Sequence, residues 1–217
     1  IMSELLFNEL PRPTFRWLRV NHTVSSLAGE DTAVQSIAVE ANKDILSPLP
    51  VGTALLDGNY EGANKEAVHV LVEKAEGYAI NVPSKAKEVV GIRIDANARV
   101  ANRFQFIVGE GAELEVQFYV TGSGDALTNV SYLNEYDVKE AGKVVVKKVN
   151  LLPEHVQHIE HRYTKLEEKA DVEYINIEIG GSENILNYYH DLVGQESRMV
   201  HDIAYLGNKE QKFDISM

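Results

Sequence analysis

Apolar residues fall into two regimes along this chain. Near the amino terminus, residues 3–10 (SELLFNEL) predict a short amphipathic helix begun by Ser3, with Leu5, Leu6 and Leu10 inward, and Pro11 and Pro13 stop it. The only tryptophan, Trp17, follows in TFRWLRVNHTV. Residues 25–65 are irregular and polar, with Pro48, Pro50 and several Gly and Asn residues, and read as loops and short strands. From about residue 67 the period becomes two. Val68, Val70 and Val72 alternate with His69, Leu71 and Glu73, and a Glu76-Gly77 turn leads into Tyr78, Ile80 and Val82. Then come VVGIRID, RFQFIVG, LEVQFYVTG, NVSYLNEYDV, KVVVKKVNLL, VEYINIEIG, ILNYYHDLVG, SRMVHDIAYLG and QKFDISM. These are strands, rich in Val, Ile, Tyr and Phe and divided by Gly, Asn and Asp. After residue 66 only 153–170 (PEHVQHIEHRYTKLEEKA) has a pattern that could hold a helical turn. The fold class is all-β.

Several strands are entered through one kind of turn. GEGAELEVQF (109–118), EEKADVEYIN (167–176) and VGQESRMVHD (193–202) each place a small residue (Ala112, Ala170, Ser197) two positions before an apolar one (Leu114, Val172, Met199). A turn-then-strand unit that recurs without strict length predicts stacked coils, each paired only with its neighbours. A barrel or sandwich would carry more hairpin signals, yet Asp57-Gly58, in the irregular part, is the one Asn-Gly or Asp-Gly pair. The expected architecture is a right-handed parallel β-helix over 67–217, truncated at its carboxy-terminal end, behind a helix and small irregular segment at 1–66.

Composition narrows the chemistry. The 217 residues are 44% hydrophobic and 25% charged, ordinary for a soluble globular protein and enough for a sizeable core. With 21 Lys+Arg against 33 Asp+Glu the net charge is −12, which repels phosphate backbones and anionic membrane, so neither nucleic acid nor membrane is an expected partner. No apolar run is long enough to span a bilayer, and the start lacks the basic region and cleavage site of a signal peptide, which makes the cytoplasm the expected location. There is no cysteine, hence no disulfide, thiol nucleophile or thiolate-held cluster from these residues.

Histidines are the first candidates for a site. On a helix, His155 and His158 of HVQHIEH would share a face, with His161 about 60° further round, and a divalent metal could bind there with Glu154 or Glu160. A polar surface loop with several histidines is the plainer alternative. His190 and His201 each precede an aspartate, in YYHDLVG and MVHDIAYLG. If these are successive coils, the two His-Asp pairs stack in register as bases or metal support, or else form a polar ladder on a solvated face. The glycine stretches at 109–111, 122–124 and 180–181 match no dinucleotide or phosphate loop and read as turns. No Gly-x-Ser-x-Gly elbow or Ser-His-Asp arrangement occurs, so the chain is not expected to be an enzyme.

Residues 164–217 supply a resemblance. Lys165 to Glu173, Gly180 to Tyr188, Leu192 to Arg198, and Tyr205 to Asp214 resemble the core of the SufB/SufD family of iron–sulfur cluster assembly proteins, and NELPRPTFRWLRVN (8–21) looks like the opening of short SufD-like members. The resemblance implies a right-handed parallel β-helix and a scaffold subunit that pairs with a SufB-like partner, while the SufC ATPase docks on helices that follow the β-helix. Without cysteine the chain looks SufD-like, holding no cofactor by itself and meeting an iron–sulfur cluster only transiently through its partner. It departs from the family at Lys212, where many relatives carry His or another residue, and in ending before the SufC-docking helices. A bare last strand makes Phe213, Ile215 and Met217 the expected edge for a partner or for a second copy of the chain. Two other functions stay open: a metal protein using the histidines above, and a carbohydrate-active β-helix with Tyr119, Tyr132, Tyr136, Glu135 and Asp137 along a groove.

Overall fold

A strand with one apolar face needs a second layer over it, and in this chain the second layer is the chain itself, returning coil after coil. The structure, a computed structural model, describes residues 4–9, 22–26, 37–56, 64–123 and 128–217. Its first elements are β1 (Glu4–Phe7), β2 (Thr23–Ser26), β3 (Ile37–Glu40), β4 (Leu46–Leu49) and α1 (Lys65–Lys74). Then follow β5 (Gly77–Val82), β6 (Lys87–Asp95), β7 (Val100–Val108), β8 (Glu113–Thr121), β9 (Thr128–Val138) and β10 (Lys143–Asn150). The last are β11 (Val156–Leu166), β12 (Asp171–Glu178), β13 (Glu183–Leu192), β14 (Arg198–Tyr205) and β15 (Lys212–Ser216).

From β5 onward the strands go alternately to two sheets, giving the expected parallel β-solenoid, of about five turns. The odd-numbered strands β5 to β15 form one sheet and the even-numbered β6 to β14 the other, each strand parallel to its neighbours. At the amino-terminal end β3 lies antiparallel on β6 and β4 antiparallel on β5, which pairs both sheet edges there. No helix among the described residues is long and apolar enough to cross a membrane.

The turn read from Ala112, Ala170 and Ser197 is the corner of the solenoid. It recurs five times, also before β6 and β10, each time with one residue at positive φ: Lys85, Gly111, Ala141, Lys169 and Glu196. The corners stack through the backbone. Lys85 N–H donates to Glu110 O, Gly111 N–H to Glu140 O, Ala141 N–H to Glu168 O and Lys169 N–H to Gln195 O, at 2.8–2.9 Å. On the solvent face the register places unlike charges on adjacent strands: Lys87 meets Glu113 at 2.8 Å, and Arg198 meets Asp171 at 3.3 Å.

Three local expectations are overturned. Residues 4–7 form a strand of a two-stranded ribbon with β2 instead of a helix, with Leu6 51% exposed and Phe7 buried against Ile159 and Ile185. Residues 65–74 form a helix, not a strand: Val68, Leu71 and Val72 are buried at helical spacing while Val70 is 40% exposed. Two rows of valine suit either period, and the turn of Leu71 toward the sheet decides for the helix. Residues 156–166 form a strand, not a helical turn, because β11 lies between β9 and β13 with both faces covered. Ser3, Leu10, Pro11, Pro13, Trp17 and Asp57-Gly58 lie outside the described residues.

The cover on the outer face of the odd-strand sheet is made by α1 and the β1–β2 ribbon. Val68, Leu71, Val72 and Ala75 of the helix region pack on Leu133 and Tyr163. Arg103 and Glu135, both fully buried, pin this layer. Arg103 Nη1 donates to Val72 O at 3.2 Å, Arg103 Nη2 donates to Thr53 O, and Leu55 N–H donates to Glu135 Oε1 at 3.3 Å. The ribbon is tied down by Asn8 Nδ2 donating to Asp214 Oδ1 at 2.8 Å and Ser25 Oγ donating to Glu183 Oε2 at 2.6 Å.

Candidate functional site

Alternation along a strand sends every second side chain into the solenoid, and parallel register stacks these side chains into columns. In the odd-strand sheet one column reads Phe104, Asn134, Arg162, Tyr188 and the next Asn102, Tyr132, Glu160, Leu186. In the facing sheet they read Phe118, Lys148, Asn176 and Val120, Asn150, Glu178. Apart from Asn102, the interior is therefore aliphatic and aromatic around β6–β8, and it becomes polar and charged from β9 onward. Lys148, Glu160, Arg162, Glu178 and His158 are all buried there.

Lys148 comes from β10 and bridges two carboxylates. Its Nζ donates to Glu160 and lies 2.5 Å from Glu178 Oε1. Glu160 Oε1 also accepts from Arg162 Nη2 at 2.7 Å and Asn134 Nδ2 at 3.0 Å, and its Oε2 accepts from the Tyr188 hydroxyl at 3.2 Å. Arg162 is held between two rings, its guanidinium 4.2 Å from the centroids of both Tyr174 and Tyr188. His158 contacts the Tyr132 hydroxyl through Nε2 at 3.0 Å, and its Nδ1 lies 3.1 Å from Asn150 Nδ2 and from Asn184 Oδ1.

The charge states follow from these neighbours. Burial alone would raise the Glu160 carboxyl, but Arg162 and Lys148 outweigh it and hold it well below the usual carboxylate range. Burial raises Glu178 instead, since Lys148 opposes it while the charge of Glu160 adds to it. Burial, then the charge of Lys148, lowers His158 to about 3. The result is a lysine and an arginine sharing one strong acceptor, Glu160, with a weakly acidic carboxyl on the far side. Such a network positions charge and protons rigidly in a buried interior.

The predicted histidines separate. His155 sits in the turn before β11, His158 points into the core, and His161 points to the opposite, outer face, buried beside Phe7 and Ala67. Spacings of three reverse the face on a strand, whereas they keep it on a helix. His190 and His201 do meet, but not as stacked His-Asp pairs. β13 and β14 belong to opposite sheets, so the imidazoles face each other across the interior with centroids 6.2 Å apart, while Asp191 and Asp202 are exposed. Among the described residues no group of three or more His, Cys, Asp or Glu could hold a metal ion. The carbohydrate groove does not form either: Tyr119 lies on the outer face, Tyr132 and Tyr136 are buried inside, and Glu135 is bonded to Arg103 on the other side of the sheet. At the last coil Phe213 and Ile215 are half-buried on the inner side of β15, and Met217 is 67% exposed.

A family model described as SUF system FeS cluster assembly, SufBD core domain, matches residues 92–217. The chain belongs to the SufBD core family. No curated relative and no solved structure matches it. Membership of the SufBD core family gives the chain a part in iron–sulfur cluster assembly by the SUF system, among other subunits. The SufBD match begins in β6 and takes in every strand from β7 onward, so the polar interior lies wholly within it.

Sequence reading named His158 and Glu160 for a different geometry and passed over Lys148, Arg162, Glu178, Asn150 and Asn184. One signal was available. In β11, His158, Glu160, Arg162 and Thr164 occupy one parity, and in β10 Lys148 and Asn150 continue the parity of Val144 and Val146.

Proposed function

We propose that this chain is a SufD-like scaffold subunit of the SUF machinery, which pairs with a cysteine-bearing SufB-like partner and does no catalysis of its own. The observation that carries this reading is a SufBD core with a charged, fully buried interior and no cysteine anywhere in the 217 residues. Cluster thiolates then come from the partner, and the iron–sulfur cluster is cargo of the complex. Pairing uses the end of the solenoid, where β14 and β15 each have one neighbouring strand among the described residues. A partner strand added there would cover Phe213, Ile215 and Met217. The reading includes a cytoplasmic location and a SufC-like ATPase recruited by the assembled complex.

The experiment is co-expression of the chain with a SufB-like protein and its ATPase, followed by anaerobic purification through a tag on the chain. The expected result is a stoichiometric complex with the SufB-like subunit, and no visible iron–sulfur absorbance from the chain purified alone. A stable cluster in the lone chain, or a homodimer that excludes the SufB-like subunit, would overturn it.

A further inference from the structure

The outer faces of the two sheets differ. The odd-strand sheet lies under α1 and the β1–β2 ribbon, whereas Tyr119, Leu151, Ile177, Ile179 and Leu206, all outward on the even-strand sheet, are 38–65% exposed. Parallel register sorts this exposed face into columns. One is charged with alternating sign, Glu113, Lys143, Asp171 and Arg198, and another reads Tyr119, Val149, Ile177 and Ala204. Leu151 N–H donates to Val120 O, Ile179 N–H to Asn150 O and Leu206 N–H to Glu178 O, which carries the ladders on into a last column of Thr121, Leu151, Ile179 and Leu206. The last two columns make one apolar patch across four coils with no charge inside it. Single apolar residues on a surface need no account, but a contiguous block does.

We propose that this face docks a second copy of the chain, related by a twofold axis that runs along the strands between β10 and β12. Charge decides for a second copy. Such an axis lays β8 over β14 and β10 over β12 of the other chain, and it keeps every residue in its own column. Glu113 then meets Arg198 of the second copy, and Lys143 meets its Asp171, each pair formed twice by symmetry. In the apolar columns Val149 meets Ile177, Leu151 meets Ile179, and Tyr119 meets Ala204, a large side chain over a small one. An axis moved by half a coil onto β10 would set Glu113 against Asp171 and Lys87 against Arg198, so the alternation of sign selects one register. Size is sufficient as well. Four strands about 4.8 Å apart and about 30 Å long present about 570 Å² per copy, and the two together pass the roughly 1,000 Å² expected of a specific interface. This contact uses the face of the sheet and leaves the free edges of β14 and β15 open, so it goes beyond the pairing with a SufB-like subunit and can form beside it.

Sedimentation equilibrium of the full chain is the test. The chain should pass from one copy to two as its concentration rises, and Ile177→Lys should weaken the dimer at least tenfold in folded protein. Glu113→Lys and Arg198→Glu should each do the same, because each sets like charges together twice across the axis. Mixing these two variants should restore a dimer, since one chain complements the other in both pairs. A chain that stays monomeric at every concentration overturns the proposal. So does a dimer that survives Ile177→Lys, or a mixture of the two charge variants that stays monomeric. If Ile177→Lys instead abolishes binding of a SufB-like protein while the unaltered chain alone never dimerises, the face belongs to that partner and the proposal is likewise overturned.

Discussion

Lys148 stands in a column that begins with an aliphatic and aromatic core, yet it is as buried as Phe118 one coil earlier. Its two carboxylates are not equivalent, and the difference is testable. Glu160 answers Lys148, Arg162, Asn134 and Tyr188, so Glu160→Gln leaves two buried cations without their common anion. The expected cost is about 3–5 kcal/mol, the range for breaking a buried ion pair. Burial raises Glu178, and Lys148 is the one cation bonded to it among the described residues, so Glu178→Gln should cost less than Glu160→Gln. Urea midpoints at unchanged slope measure both. Equal losses at the two positions would refute the assignment of Glu160 as the central acceptor.

The corner turns and the covering helix carry two further expectations. Gly111 has φ +62°, and an added Cβ would meet nothing nearer than Lys85 Cγ at 3.7 Å. Gly111→Ala therefore incurs only the left-handed backbone cost, about 1–2 kcal/mol. Gly180 has ordinary φ, but its Cβ would lie 2.1 Å from the Leu152 backbone nitrogen on the preceding coil, so Gly180→Ala must push two coils apart and should destabilise more. Thermal unfolding of the pair gives the order; a milder Gly180→Ala contradicts the close approach of coils there. For α1, Arg103→Met removes the donors to Val72 O and Thr53 O and the cation beside buried Glu135. Hydrogen exchange over 65–74 should quicken at least tenfold while β10–β14 stay protected. If both regions quicken together, the helix is not a separate cover but part of the same cooperative unit.

At the level of the complete solenoid, the buried histidines make stability depend on pH. His158 and His161, both fully buried, are lowered to about 3 and about 4, with burial the first cause in each. The unfolded chain takes up protons near the ordinary value of about 6.5, whereas the folded chain does not. This stability is thus complete above about pH 6.5 and is lost as pH falls from there toward the folded values, at about 1.4 kcal/mol per pH unit for each fully buried histidine. Lowered Glu160 adds a further loss below the ordinary carboxylate range, and raised Glu178 opposes it, being favourable at low pH and unfavourable as pH rises through its folded value. Urea midpoints between pH 7 and 5 should fall steeply, and His161→Phe should reduce the slope by about one proton. A flat profile would mean that these imidazoles are not buried neutral.

Much of this architecture was legible before any coordinates. Strands of period two, a recurring small-residue corner and the lack of hairpin turns fixed a parallel solenoid, because each of these is a local property of the backbone. The covering layer was not legible. Val68 to Val72 satisfy a period of two and a helical stripe alike, and only contact with Leu133 and Tyr163 selects the helix. The charged interior was hidden for a related reason. A polar residue on a strand is read as facing water, so Lys148 and Arg162 looked like surface, and β11, buried on both faces, showed no alternation at all. The amino-acid sequence alone determined the coil, its corners and its lack of thiolate, which depend on neighbours along the chain. Tertiary structure alone decided which parity faces inward and which unlike charges meet there, since pairing across two sheets brings together side chains that no spacing along the chain connects.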